Sequence, residues 1–261
     1  MVYNFVKRLD TYLAPIGTIS YASWASCAVC RDAVRSRGVR AFSEPSRLRD
    51  EAFAVFCRMI NESFGACEDT TVVPDLVASA EGIILEPGPG SGNQVPLFDQ
   101  AKVEHIFGVE INEFLIPDLR AAVAEYGLGA KYTIIRSGIE DTEVLESHGI
   151  RPISFDTIVS IQVLCSVAEP EAVMKELYRL LKPGGKLIFW EHTRSRDLAT
   201  RIAQNFWTIP SKFFVGGCSM NRDILQIIKS AGVWDGIESI NLDEEEPWDI
   251  LPMVWGTLVK P

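Results

Sequence analysis

The sequence predicts an α/β fold in which a doubly wound, mostly parallel sheet follows an N-terminal helical cap. Three observations indicate this class. Short β-branched or aromatic runs alternate with helical patterns from residue 81 onward, a glycine-rich loop follows the first of these runs, and an apolar stripe at helical spacing occupies residues 51–64. A length of 261 residues suffices for one large domain with a small addition. We expect a helical cap or substrate lid at residues 1–78 and the sheet domain at residues 79–261.

The N-terminal part is predicted to be helical because its apolar residues recur with a helical period. The stripe consists of Phe53, Phe56, Cys57, Ile60 and Phe64. Such a stripe usually belongs to a core, but it could also form the roof of a pocket at a sheet edge. Residues 1–60 hold nine Lys or Arg against five Asp or Glu. This excess indicates either a solvated basic helix face or contact with an anionic surface.

An uncharged stretch lies within the same part. Residues 11–30 carry no charged side chain over twenty positions, which is the length needed to cross a bilayer. Pro15, Gly17 and several serine and threonine residues lower its hydrophobicity. The sequence therefore favours a helix that packs on the main domain over a membrane span or an interfacial anchor.

From residue 81 the pattern is that of a parallel sheet. The predicted strands are 83–86, 106–110, 132–135, 157–161 and 187–190, with helices at 116–126 and 170–181. The Lys-Pro-Gly-Gly run at 182–185 ends the second helix, because proline cannot continue it and glycine tolerates the left-handed conformation that closes it. Residues 236–240 and 254–259 are predicted to form an antiparallel pair at the edge.

The glycine-rich loop at residues 85–92 is predicted to bind a nucleotide-type cofactor. Gly88, Gly90 and Gly92 lack Cβ, so they let the backbone approach a ligand closely and tolerate positive φ. We expect them to turn the chain directly into a helix. Glu110, at the end of the next strand, is placed to accept hydrogen bonds from ribose hydroxyls. A dinucleotide fingerprint requires Gly-x-Gly-x-x-Gly, so the observed spacing disfavours an NAD-type site.

Three motifs carry a resemblance to a known family. Glu86-x-Gly88-x-Gly90-x-Gly92 resembles the first motif of the class I methyltransferases that use S-adenosylmethionine. Residues 156–160 resemble the family's fourth-strand motif, and residues 180–185 resemble its turn before strand five. The resemblance covers about residues 81–261. It implies a seven-stranded, Rossmann-like methyltransferase fold with S-adenosylmethionine as the cofactor.

A narrower resemblance points to the alkyl-thiol methyltransferase branch of the methyltransferase-like proteins. It lies in residues 163–167, 190–192 and 217–222 and in the ending from Trp248 to Lys260. This resemblance implies methyl transfer to a thiol or hydroxyl group of a small, largely apolar molecule, with a thiol as the leading expectation.

The resemblance to the wider family also implies roles for individual residues. The predicted cofactor-binding residues are Glu86, Gly88, Gly90 and Gly92 at the methionine end, Glu110 at the ribose, Ile111, Gly138, Ile139 and Glu140 around the adenine, and Gln162 after strand four. Gly138 stands where the family often has an acidic residue that accepts a hydrogen bond from the adenine amino group. The acceptor must then come from Glu140, from the backbone, or not at all. Glu140 and Asp141 are equally suited to cap the following helix.

His192 and Cys165 are the predicted catalytic residues. His192 follows the fifth strand at its carboxyl end, where active sites of doubly wound sheets gather, although it could instead bind a neighbouring loop. Cys165 is expected to face the methyl group or the acceptor, with a plain packing thiol as the alternative. A thiol acceptor has an ordinary pKa near 8.5 and needs little activation, whereas an aliphatic hydroxyl needs a base. Four aromatic residues could line an apolar acceptor pocket or belong to the core: Phe206, Trp207, Phe213 and Phe214.

Composition limits the partners. The 25 basic and 35 acidic residues give a net charge of −10, which excludes a broad nucleic-acid surface and favours a small-molecule acceptor. Among six cysteines only Cys27 and Cys30 are closely spaced, and two buried thiols in a helix are favoured over a metal or redox pair. No metal site is predicted. Free cysteines fit a reducing, cytoplasmic location, with peripheral membrane contact through the N-terminal segment left open.

Two other functions stay open at this point. A methyltransferase fold can bind the cofactor and catalyse a non-methylating rearrangement, and both Gly138 and the scarcity of bases, with three histidines in the chain, leave room for that. An NAD-type oxidoreductase is the remaining alternative, which the glycine spacing disfavours.

Overall fold

The computed structural model describes residues 2–243 and 246–261, with side chains described at residues 6–242 and 246–261. The helices are α1 (Val2–Leu13), α2 (Pro15–Arg37), α3 (Pro45–Glu68), α4 (Val73–Ala78), α5 (Ile116–Glu125), α6 (Thr142–Ser147), α7 (Pro170–Leu180), α8 (Leu198–Phe214) and α9 (Ile224–Ser230). The strands are β1 (Gly82–Pro87), β2 (Val103–Glu110), β3 (Tyr132–Arg136), β4 (Phe155–Ile161), β5 (Leu181–His192), β6 (Asn241–Asp243) and β7 (Met253–Val259).

The seven strands form one sheet in the order β3-β2-β1-β4-β5-β7-β6. The first five are parallel, and β7 runs antiparallel to both β5 and β6. The chain reverses its direction of progress across the sheet between β1 and β4. In open α/β sheets ligands bind at such a switch point, outside the carboxyl ends of the strands. The predicted fold class is confirmed, and it places the functional crevice beside the loops that follow β1 and β4.

The central strands are apolar on both faces because helices cover both faces. Leu85 and Ile158 pack into a cluster with the α7 and α9 side chains, while Ile84 and Val159 pack on the opposite face with α4 and α5. All four side chains are fully buried. The sheet therefore gives the loops at its carboxyl edge a rigid base.

Two local predictions were wrong. No α-helix follows the glycine-rich loop; the chain makes only a short 3₁₀ turn at Val95–Leu97 before β2. The edge strand expected at residues 236–240 lies later, at Asn241–Asp243. Gly236 has a φ of +85° and starts a 3₁₀ turn at Ile237–Ser239, so the backbone cannot be extended there.

The N-terminal helices cover the carboxyl edge of the sheet. Asn112 Nδ2, just after β2, donates a 2.9 Å hydrogen bond to the α3 carbonyl of Asp50. Ser91 Oγ, in the glycine-rich loop, donates to Asn61 Oδ1 of α3 at 3.0 Å. Helix α3 thus lies across the loops after β1 and β2, where a cap is needed to exclude water from a site at the sheet edge.

Helix α2 packs on α3 through small residues. Ala22 and Ala25 are fully buried against Phe56. By length and composition Val6–Ser43 is a candidate membrane span: its most apolar window has a mean hydropathy of 1.2, and 22% of that window is buried. The expected burial of the cysteine pair was wrong, since Cys27 is exposed and Cys30 half-buried.

Candidate cofactor site and active site

The three loop glycines are needed for two different reasons. All have positive φ, at +59° for Gly88 and Gly90 and +90° for Gly92. A Cβ at Gly88 would lie 3.1 Å from Cγ1 of Val163, in the loop after β4, and a Cβ at Gly92 would lie 3.0 Å from Leu119 Cδ1 of α5. A Cβ at Gly90 would meet no described atom within 4 Å. Gly88 and Gly92 therefore allow close packing, whereas Gly90 borders open space that suits a ligand.

Glu110 holds this loop through its carboxylate. Its side chain is buried at the end of β2, where Oε2 accepts a 2.9 Å hydrogen bond from the Gly90 N–H and Oε1 accepts a 2.7 Å bond from the Asn112 N–H. Burial raises the pKa of Glu110, and these backbone donors act in the opposite direction. The residue predicted to bind ribose thus lies beside the open face of Gly90, as a ribose ligand requires.

Glu86 lies deeper than the other loop residues. It is fully buried, and its Oε2 accepts a 2.5 Å hydrogen bond from the hydroxyl of Tyr132 on β3. Gly108 on β2 makes room for this pair, because a Cβ there would lie 2.3 Å from the Tyr132 hydroxyl oxygen. Burial raises the pKa of Glu86 to about 7, although the Tyr132 hydrogen bond lowers it. The contact ties the end of β1, where the loop begins, to β3. The predicted contact of Glu86 with the methionine end of the cofactor stays a prediction.

The predicted adenine region is a depression of about 390 Å³. It is lined by Ile111, Arg136, Ser137, Gly138, Glu140 and Asp141. Ile111 is 66% exposed, which leaves an apolar face free to flank an adenine ring. Ile139 places its side chain in the core, so only its backbone can face a ligand there.

Glu140 and Asp141, which the sequence could not separate, have different surroundings. Asp141 Oδ1 accepts a 3.2 Å hydrogen bond from the Val144 N–H and caps α6. The Glu140 carboxyl group instead lies over Gly138, where a Cβ would be only 2.6 Å from Glu140 Cδ. Glu140 therefore occupies the space that an acidic side chain at position 138 would take, and it remains the candidate acceptor for the adenine amino group.

A buried carboxylate orders the loop after β4. Glu191 accepts hydrogen bonds from Ser160 Oγ at 2.8 Å and from the N–H groups of Val163 and Leu164 at 2.9 and 3.2 Å. Burial raises its pKa to about 7 against these hydrogen bonds. Gln162, at the start of this loop, adopts φ +55°, an uncommon conformation for a residue other than glycine that concentrates at functional sites.

The same loop brings Cys165 to His192, and the loop after α8 adds Cys218. His192 Nε2 lies 3.2 Å from Cys218 Sγ, and the ligand atoms of all three residues lie within 4.8 Å of one another. Cys165 and His192 are buried. A hydrogen bond with Cys218, together with burial, raises the pKa of the Cys165 thiol well above its ordinary value. Burial lowers the pKa of His192 while the neighbouring Cys165 raises it, and the net shift is upward. Cys165 is therefore a protonated thiol near neutral pH rather than a free nucleophile.

Sequence reasoning missed Glu191 and Cys218 as site residues. Both lie in segments that carry the narrower resemblance, 190–192 and 217–222, so a motif signal was present. Their roles were not visible because Cys165 and Cys218 are far apart in the chain. The Ser219 N–H donates a 2.9 Å hydrogen bond to the Cys165 carbonyl, and that contact joins the two segments.

The expected aromatic pocket was wrong for two of its four members. Phe206 and Phe213 are 63% and 68% exposed on the outer face of α8. Trp207 is half-buried and donates from Nε1 to the carbonyl of Tyr12 at 2.7 Å, and Phe214 packs with α2 and α3. Phe206 and Phe213 therefore do not line a buried acceptor pocket.

The residues at the switch point fit S-adenosylmethionine. Gly90 offers open space beside its backbone, Glu110 lies next to it, and the depression at Ile111 and Glu140 follows on the β2–β3 side. These residues would hold the methionine and ribose, and then the adenine, in that order along the sheet edge. The individual assignments remain predictions that binding measurements can test.

Comparisons with known proteins agree with this geometry. Residues 85–189 match the family described as "Methyltransferase domain". Thiol S-methyltransferase TMT1B of Rattus norvegicus is 33% identical over 108 residues, which cover 39% of each chain. Arsenite methyltransferase of Rattus norvegicus is 25% identical over 169 residues, covering 62% of this chain and 44% of that protein. This chain thus spans less than half the length of either relative.

A solved structure shares the fold. An O-methyltransferase family protein from Burkholderia thailandensis superposes with a TM-score of 0.58 at 15% identity, covering 94% of this chain and 72% of that one. The match over residues 85–189, the curated relatives and the sheet order together show that this part of the chain is a methyltransferase domain of the class I type, whose cofactor is S-adenosylmethionine, as its motifs predicted.

Proposed function

We propose that this protein transfers a methyl group from S-adenosylmethionine to a thiol, or to a hydroxyl, of a small and largely apolar molecule. The observation that supports this most directly is the position of the Cys165, His192 and Cys218 side chains. They lie next to the loop after β4, and that loop touches the cofactor loop at Val163 and Gly88. The buried polar groups of the site thus lie beside the predicted methionine end of the cofactor.

When bound, S-adenosylmethionine supplies a methyl group on a positively charged sulfur, ready for in-line displacement. The protein's main contribution is to hold donor and acceptor at attack distance and to exclude water. Glu110 and Glu140 would orient the ribose and the adenine, and α3 would cover the reacting groups. His192 would accept a proton from a hydroxyl acceptor, whereas a thiol needs less help because it ionises more readily.

A soft acceptor is favoured over a nucleic acid or a protein surface. Two of the relatives found by comparison are named for methylation of thiols and of arsenite, and both of these acceptors offer a soft, polarisable atom. The net charge of −10 opposes binding to nucleic acid. We therefore propose a small-molecule acceptor and no nucleic-acid partner.

We further propose a cytoplasmic protein that touches a membrane surface. Helix α8 exposes one apolar stripe, made of Leu198, Ile202, Phe206, Ile209 and Phe213. Helix α1 packs beside it through the Trp207 hydrogen bond to Tyr12 and exposes Leu9 and Leu13. Amphipathic helices of this kind lie in the interface of a bilayer. Peripheral contact is favoured over a span, because α2 buries Ala22 and Ala25 against α3.

The test is release of S-adenosylhomocysteine from S-adenosylmethionine in the presence of alkyl thiols, phenols and carboxylates. We expect turnover with thiols first. His192→Ala should reduce turnover of a hydroxyl acceptor by about 10²–10⁴-fold, the usual contribution of a general base. His148→Ala, a change at an exposed histidine, is the matched control and should not alter the rate. Tight cofactor binding without product from any acceptor would contradict the proposal and favour a non-methylating reaction.

A further inference from the structure

The Cys165, His192 and Cys218 cluster has the composition of a soft-metal site. Two sulfur atoms and one imidazole nitrogen lie within 4.8 Å of one another, from three separate segments of the chain. Two thiolates and one imidazole are the protein ligands of the Cys₂His class of zinc site, which leaves a fourth position free for water or substrate. Ligands of a tetrahedral zinc ion lie about 2.3 Å from the metal for sulfur and about 2.0 Å for nitrogen, so they are under about 4 Å from one another. Only modest side-chain movement would bring the three side chains to these distances.

The neighbours of the cluster determine which of its atoms could bind a cation. Of the two ring nitrogens of His192, Nε2 faces Cys218, while Nδ1 is buried with no hydrogen-bond partner among the described residues. The Nε2 nitrogen, which faces the sulfur of Cys218, is therefore the atom that would serve as the third ligand. The neighbouring Glu191 carboxylate accepts bonds from Ser160, Val163 and Leu164 instead of facing the cluster. Among the residues that the structure describes, three side chains are therefore available as ligands here.

We propose that Cys165, His192 and Cys218 bind one thiophilic divalent cation of the Zn²⁺ class, and that its fourth position accepts a thiolate. Cys218 is half-buried while the other two ligands are buried, so the cluster opens on the Cys218 side. The thiolate part rests on the proposed function, because it identifies the fourth ligand with the sulfur acceptor. With the cation bound, His192 Nε2 is a ligand, so its role as a base for a hydroxyl acceptor applies to the metal-free protein. A cation at this position lowers the pKa of a bound thiol and holds it as a thiolate.

The experiment is a Co²⁺ titration of the full chain under anaerobic, reducing conditions, followed by competition with Zn²⁺. We expect one equivalent to bind, with thiolate-to-cobalt charge-transfer absorption and the intense visible bands of a tetrahedral site. Cys218→Ser and His192→Gln should each weaken binding by more than about 100-fold, beyond the loss caused by changes to residues that only support metal ligands. The double variant Cys27→Ser, Cys30→Ser is the control, since this other cysteine pair should contribute nothing.

Retained circular dichroism and S-adenosylmethionine binding would show that each variant folds. Absence of the charge-transfer band in the wild type, or an unchanged band in Cys218→Ser, would overturn the metal site. Addition of an alkyl thiol to the cobalt protein should shift the visible bands, and unshifted bands would overturn the open fourth position. Thiol methylation at the same rate after removal of the metal would show that the metal takes no part in methyl transfer, and it would leave the proposed function standing. Metal binding without methylation of any acceptor would leave the metal site standing and contradict the proposed function.

Discussion

Replacing Glu86 by glutamine should stabilise the protein at alkaline pH and leave it almost unchanged near pH 4.5. Burial raises the pKa of Glu86 from its ordinary 4.5 to about 7, so the folded state binds this proton more tightly than the unfolded state. The resulting stability is fully present below pH 4.5 and is lost as the pH rises through about 7. At about 1.4 kcal/mol for each tenfold change in proton affinity, the full loss by pH 8 is about 3 kcal/mol. Glutamine keeps the acceptor for Tyr132 and never ionises.

The assay is urea unfolding of wild type and Glu86→Gln at pH 5 and pH 8, with Glu104→Gln, an exposed change on the neighbouring strand, as the control. Glu68 and Glu191 also have pKa values raised to about 7, mainly by burial, so the wild type itself should lose stability over this range. The decisive quantity is the difference between variant and wild type. An equal difference at both pH values would refute the reasoning.

Tyr132→Phe, which removes the hydroxyl donor, should lower the free energy of unfolding by about 1–3 kcal/mol.

Three further outcomes follow from the site and the surface. Glu110→Ala should weaken S-adenosylmethionine binding by at least about tenfold in calorimetry, because it removes a charged acceptor worth about 1.5–3 kcal/mol; unchanged affinity would remove Glu110 from the site. Glu140→Gln should weaken binding of S-adenosylmethionine more than of an analogue that lacks the adenine amino group, and equal losses would contradict the adenine assignment. Ile202→Ser combined with Phe206→Ser should reduce co-flotation with phospholipid vesicles while leaving cofactor affinity intact, and undiminished flotation would exclude α8 as the membrane face.

Local chemistry explains why the sequence predicted the fold and the cofactor loop. The alternation of strand and helix patterns, the turn at residues 182–185 and the positions of Gly88, Gly90 and Gly92 are short-range signals. Each one depends on backbone conformation or on the burial of neighbouring residues. The helix expected after the loop was wrong, since the chain makes a 3₁₀ turn at Val95–Leu97 instead, and periodicity does not distinguish the two over so few residues.

The identity of the contacts at the sheet edge required the tertiary structure. Only the folded chain shows that Asp141 caps α6 while Glu140 lies over Gly138, since both are acidic and adjacent in sequence. Likewise, the sequence shows that helix α8 is amphipathic. Whether its apolar stripe faces a pocket or solvent depends on which helices pack against α8. In this structure α1 and α3 pack elsewhere on α8, and Phe206 is left exposed.

The sequence by itself therefore determined the fold class, the family and the cofactor, because these depend on motifs whose residues are close together along the chain. The tertiary structure alone decided that Cys165, His192 and Cys218 form one cluster. Parallel strands bring their carboxyl ends to one edge whatever the length of chain between them, so residues distant in sequence become neighbours there. No local pattern records that proximity, and for this reason the sequence predicted Cys165 and His192 as site residues and did not include Cys218.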